Sequence, residues 1–323
     1  MRDRGWNGRR AAQAFGATLY VLAAVGTSAA YAKPPTTTSY YWTSTSAMSA
    51  EESGCVQGII DALGNTNSEV ILDFGGQLGD LSGTESIDGT IDFTNAQIQA
   101  IALAFGAGYF ACTEGENTTT LTLAIGTNNS KEAVSTAGGE AWASLVAATA
   151  TVVLEDSAEA KQVAIWGGSD LEVGYSTGSA AHAWAVGYDE TTESPYLDYG
   201  AAEGCPSSGH TNGSCTGGQS GWDQQLEWEL SWGINDAYPT PEIYYNPPPG
   251  SPVNAEQWTQ IVLWAHYALS RCETFEGPLD ENEYESSNNA TQAWYELKET
   301  LESGLGGTSC STVPEYLSYS LEI

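Results

Sequence analysis

The feature that most constrains the fold of this 323-residue chain is a phrase that recurs along it. A short apolar run leads to a carboxylate or amide and then to glycine or another turn residue. It reads VILDFGGQ from Val70, LTLAIGTNN from Leu121, VAIWGGSDLE from Val163, PYLDYGAAEG from Pro195 and TPEIYYN from Thr240. Runs with continuous hydrophobicity are strands covered on both faces, and such strands are mostly parallel and flanked by helices.

The intervening stretches carry helix signals. A helix is expected from Ala50, with Cys55, Ile59, Ile60 and Leu63 on one face and Gly64-Asn65 at its end. Thr94 and Gln97 form a capping box ahead of a helix running to Cys112. Further helices are expected over Glu140 to Leu154, Ser179 to Val186, Asn254 to Leu269 and Thr291 to Leu301, with a short one from Gly221-Trp222-Asp223. Leu226, Trp228, Leu230 and Trp232 alternate with polar residues, which favours a strand there. Strand and helix alternate about every 30–45 residues, the pattern of repeated β-α units. An eighth strand is available at residues 39–45 or 316–321. The expected fold is a single α/β domain, a TIM-like (β/α)8 barrel over residues 50–323, stabilised by disulfides. Residues 33–49 form a tether or leading strand, and a doubly wound open sheet is the structural alternative.

Arg2, Arg4, Arg9 and Arg10 precede an apolar stretch, and Ala30-Tyr31-Ala32 is a small-x-small cleavage site, so residues 1–32 read as a signal peptide. No later run reads as a membrane span, so no membrane insertion is expected. Without the leader, 5 of the 9 basic and 40 of the 41 acidic residues remain, a formal charge of −35. Such a charge repels phosphate backbones and anionic surfaces, so no nucleic-acid partner is expected. The six cysteines, an even number in an exported chain, imply disulfides. The expected pairs are Cys205–Cys215, Cys55–Cys112 and Cys272–Cys310. The expectation is an extracellular monomer, associated with a cell wall.

In a barrel, residues just past the carboxyl ends of the strands face the site. That rule selects Asp73, Asn128, Asp170, Glu172, Asp198, Glu242 and Tyr244. Carboxylates, amides and aromatics around one rim suit a carbohydrate polymer, because rings stack on sugars and a carboxyl pair supplies acid and base. Glu172 is expected as general acid, with Asp170 or Glu242 as nucleophile or base; Asp73, Asn128, Asp198, Tyr244 and Trp166 would hold the sugar. A competing motif, Gly174-Tyr175-Ser176-Thr177-Gly178, matches the nucleophile elbow of serine esterases, with Asp198 or Asp236 and His266 as partners. A third alternative is a non-catalytic glycan-binding surface protein. His182, His210 and His266 are isolated, and no G-x-G-x-x-G or P-loop occurs, so neither a catalytic metal nor a cofactor is expected.

The set ILDFG, IGTNN, the Trp166–Glu172 run, YLDYGAAEGCP, Trp232-Gly233 and PTPEIYY resembles a group of secreted bacterial proteins of unassigned activity whose barrels are similar to those of glycoside hydrolases. The resemblance spans residues 66 to 303 and implies that Asp170 and Glu172 correspond to the acid/base pair. The chain lacks the longer D-x-x-D-x-D-x-E string of chitinase-type barrels, so substrate-assisted cleavage of N-acetyl sugars is not implied.

Overall fold

The computed structural model describes residues 33–113, 118–243, 254–281, 288–310 and 317–323. The expected leader and Tyr244 lie outside these residues. The apolar runs form strands that pair side by side in parallel. β1 (Thr36–Thr38) and β2 (Tyr40–Tyr41) lead into α1 (Ala47–Gly64) and β3 (Ser68–Gln77). A hairpin of β4 (Gly83–Glu85) and β5 (Asp92–Thr94) precedes α2 (Asn95–Cys112). Then follow β6 (Leu121–Asn128), α3 (Thr136–Glu155), β7 (Val163–Asp170), α4 (Gly178–Asp189) and β8 (Tyr196–Asp198). After α5 (Gln224–Trp228) and a π-helical turn at Glu229–Gly233 come β9 (Ala237–Pro239), α6 (Asn254–Leu269), β10 (Leu279–Asp280), α7 (Ala290–Leu305) and β11 (Ser320–Glu322).

One sheet has the order β5-β4-β3-β6-β7-β8-β9, with β2 also on β3, and a second has the order β1-β11-β10. Among the named strands of the described residues, the β4–β5 hairpin and its junction with β3 are antiparallel and the other pairs run parallel. A parallel bridge joins Glu242 to Leu279. The expected tether at residues 33–49 thus carries two strands, and both of the expected sites for an extra strand are used.

The strands are covered on both faces, as β3 shows by being buried at all 10 positions. The larger apolar cluster lies between helices and strands, around Trp142, Trp184, Trp258 and Trp294. A smaller one joins Ile71, Ala124, Leu197, Tyr199, Leu279 and Leu321, from strands of both sheets. All three expected disulfides are present, Cys55–Cys112, Cys205–Cys215 and Cys272–Cys310.

Three local expectations change. First, α1 does not bury the face of Ile59, Ile60 and Leu63, which are 45%, 52% and 84% exposed. It buries Ala50, Gly54, Gln57, Gly58 and Asp61. A Cβ on Gly54 would lie 2.0 Å from Phe105 O, so the small residues let α1 and α2 touch backbone to backbone. Asp61 is satisfied in that interface by Gln57 Nε2 at 2.8 Å, Ser68 Oγ at 2.8 Å and Tyr109 OH at 3.0 Å. Second, the alternating stretch at 226–232 is helical. Leu226 and Leu230, like Trp228 and Trp232, are an i,i+4 pair, and Asp223 caps the helix by accepting from Leu226 N at 2.9 Å. Third, α3 has the length and mean hydropathy, 1.3, of a membrane-crossing helix. It buries Trp142, Ala143, Leu145, Val146 and Val153, the behaviour of a core helix that passes the same test.

Candidate functional site

Strand ends and the turns after them carry the carboxylates. On β3 the register shifts between Asp73 and Gly76, and Gly75 takes φ +81°. That turn lets Gly75 N donate to Asp73 Oδ1 at 2.5 Å, while Tyr199 OH donates to Asp73 Oδ2 at 2.7 Å. On β7, Asp170 pairs in register with Asn128 of β6. Asn129 N then donates to Asp170 O at 3.1 Å. The Asn129 side chain holds the turn beyond it, accepting from Glu172 N at 3.2 Å and donating to Glu172 O at 2.9 Å. Glu242 enters from the next strand edge, where its N–H donates to Gly200 O at 3.2 Å.

These placements bring Asp170, Glu172 and Glu242 together, one carboxylate oxygen of each lying within 4.8 Å of the others. Asp170 and Glu242 are 4% and 2% exposed, and Glu172 is half-buried. Two carboxylates about 5 Å apart repel by about 3 kcal/mol at an effective dielectric constant of about 20. That repulsion opposes simultaneous ionisation of the three. Burial pushes the Asp170 carboxyl well above its ordinary range, and Glu242, Glu172, Asp73 and Asp198 push in the same direction. Tyr41 sits against the cluster, its phenol raised by burial and then by Glu242, Asp170 and Asp73. Tyr175 is raised by burial and by Glu172, to which its hydroxyl is hydrogen-bonded.

Among the described residues, the Lys and Arg side chains are engaged away from the cluster. Lys33 bonds Pro34 O and Thr36; Lys131 and Lys298 pair with Glu85 and Glu302. Arg271 lies over the Trp228 ring, and Lys161 is exposed on the turn before β7. These are all the Lys and Arg residues of the chain after the expected leader.

Of the other expected site residues, Asp198 is buried beside the group and accepts from Ser231 Oγ at 2.5 Å. Burial raises its carboxyl to about 7 against the opposing bonds from Ser231 and Gly200 N–H. Asp73 is likewise raised by burial against the bonds from Tyr199 and Gly75. Both hold neighbouring protein groups. Asn128 Oδ1 accepts from Ser130 N at 3.1 Å. Trp166 stands apart, four residues before Asp170 and about 13 Å along the strand. It stacks on Tyr238 with ring centroids 5.0 Å apart. A hollow of about 740 Å³ around Asp189, Glu193 and Asp236 opens at the other ends of the strands, before β8 and β9.

The serine elbow is not assembled among the described residues. Residues 171–177 separate β7 from α4, whereas an elbow turns sharply from strand to helix. Ser176 Oγ accepts from Asn129 Nδ2 at 2.9 Å, and the His266 ring faces Arg271 O and Cys310.

Sequence reasoning missed Tyr41, Tyr175, Tyr199 and Glu227. Glu227 is buried on α5, raised by burial and then by Asp198, Asp223 and Glu172. The strand reading of residues 226–232 had turned it outward; the Asp223 cap was the signal that would have turned it in. Fold and site together define a mixed α/β protein with three disulfides and a cluster of three carboxylates, two of them buried. No known protein family, curated protein or solved structure matches the chain.

Proposed function

We propose that residues 33–323 form an exported (β/α)8 barrel that cleaves a polysaccharide, of the cell-wall glycan class, at the carboxylate cluster. The barrel reading is supported by the order of the parallel contacts. They run from β2 through β3, β6, β7, β8 and β9, across the Glu242–Leu279 bridge to β10 and β11, and back to β1. Counting Thr36–Tyr41 as one strand and Ala237–Glu242 as another, that path has eight members, with helices between them and the small apolar cluster inside. Three disulfides and the leader-like first 32 residues support export.

The observation that carries the activity is the approach of Asp170, Glu172 and Glu242 to within 4.8 Å. Carboxyl groups about 5–5.5 Å apart serve retaining glycosidases, whereas inverting pairs stand about 6.5–9.5 Å apart to admit water. Glu172 is the reachable member, fixed by Asn129, and acts as general acid toward the leaving oxygen. Glu242 attacks the anomeric carbon, and the resulting glycosyl ester is released when Glu172 takes a proton from water. Asp170, its carboxyl raised by burial and then by Glu242 and Glu172, stands beside the pair as a third carboxyl.

The test is release of reducing ends from a panel of polysaccharides. A preferred polymer is expected, with Glu172→Gln slower by about 10²–10⁴-fold; equal rates for the two proteins would overturn the assignment. The near-complete burial of Asp170 and Glu242 favours a second reading, a glycan-binding protein without catalysis. That reading expects glycan pull-down that survives Glu172→Gln, with no reducing ends from any polymer.

A further inference from the structure

Asp170, Glu172 and Glu242 gather three carboxylates in one cluster, two of them almost fully buried. Every Lys and Arg beyond the expected leader is engaged or located elsewhere. Asp170 is 4% exposed, yet its Oδ1 has no hydrogen-bond partner among the described residues. An unbonded carboxylate oxygen at that depth carries a desolvation cost unless something meets it. We propose that Asp170, Glu172 and Glu242 bind one divalent cation of the hard, oxygen-preferring calcium class.

The donor chemistry selects the ion. The cluster is made of carboxylate oxygens, without thiolate or imidazole, which suits calcium, magnesium or manganese rather than zinc or copper. Calcium–oxygen bonds of about 2.3–2.6 Å allow ligands on opposite sides of the ion to be about 4.6–5.2 Å apart. A spread within 4.8 Å fits that span without backbone movement. Magnesium, with bonds of about 2.0–2.1 Å and near-octahedral demands, needs the three oxygens drawn closer. Three protein ligands leave about three to five of calcium's six to eight positions for water or ligand hydroxyls. The Asn129 clamp on both backbone groups of Glu172 holds the half-buried ligand in place, the kind of outer support that metal sites depend on. Cation and proton are thus alternative ways to neutralise the same charge.

This inference uses the side chains of the proposed glycosidase centre, so its readout is ion binding. Chelator-treated, disulfide-intact protein is titrated calorimetrically with calcium chloride in about 0.15 M salt, which screens the acidic surface. One stoichiometric site per chain is expected, with a matching rise in melting temperature. Asp170→Asn and Glu242→Gln should each weaken it by roughly tenfold or more, while Asp189→Asn, in the distant hollow, should leave it unchanged. If either buried variant melts below the unmodified apoprotein, Glu172→Gln, at the half-buried position, decides instead. A wild-type titration indistinguishable from that of the cluster variants, or without a stoichiometric phase, would overturn the site. Ion binding without sugar release would remove the catalytic reading and leave this one standing; sugar release without a bound ion would do the reverse.

Discussion

Asp198→Asn is the perturbation whose outcome follows most directly from the geometry. Asp198 is 1% exposed and bonded to Ser231 Oγ, and its carboxyl titrates near 7 instead of near 3.8. Between those values the folded chain holds a proton that the unfolded chain has released. The raised group therefore favours folding fully below about pH 3.8, and that contribution is lost as pH rises through about 7. At about 1.36 kcal/mol per pH unit, the loss is about 4 kcal/mol by pH 8. Asparagine keeps an acceptor for Ser231 and does not ionise, so the variant lacks this slope. Any cost of its new NH2 group is independent of pH and shifts the stability curve without tilting it. The assay is guanidinium unfolding followed by tryptophan fluorescence at pH 4.5, 6 and 8. Between pH 4.5 and pH 8 wild type should lose about 3 kcal/mol more than the variant. Parallel curves for the two proteins would refute the reasoning; Asp73, raised by its own burial and not by Asp198, tilts both alike.

Gly54→Ala should cost about 1–3 kcal/mol, because its Cβ would press on the Phe105 carbonyl oxygen. Leu63→Ala, on the exposed face of the same helix, should change stability by less than about 0.5 kcal/mol, read from the same denaturation curves. Asn129→Ala should cost about 1–3 kcal/mol through the freed Glu172 backbone groups. It should also speed amide exchange at residues 171–177 and reduce sugar release. Ser176→Ala should leave hydrolysis unchanged, and a fluorophosphonate probe should not label the wild-type protein; labelling at Ser176 would restore the elbow reading.

The strand–carboxylate endings were legible because burial on both faces removes polar alternation, leaving Ile71, Leu123 and Ile165 inside continuous apolar runs. The cysteine pairs were legible for a different reason: Cys205 and Cys215 bracket a loop with little else to anchor it. The buried face of α1 was not, since glycine carries no hydropathy signal and close packing through Gly54 and Gly58 depends on which helix lies opposite. Glu227 was hidden because an alternating sequence is also two interleaved i,i+4 series, and only the Asp223 cap distinguishes them. Rim position identified Asp170, Glu172 and Glu242 separately, but Asn129, which holds the turn after β7, is sequence-distant from all three. Trp166 was selected by strand membership, which says nothing about height along the strand.

The most direct measurement is time-resolved proton NMR of the anomer first released from the polymer that the panel identifies. A carboxyl pair as close as Glu172 and Glu242 leaves no room for an attacking water opposite the leaving group. The first product should therefore carry the configuration of the bond that was cut, before mutarotation. An inverted first anomer, or no product from any polymer, would contradict the account.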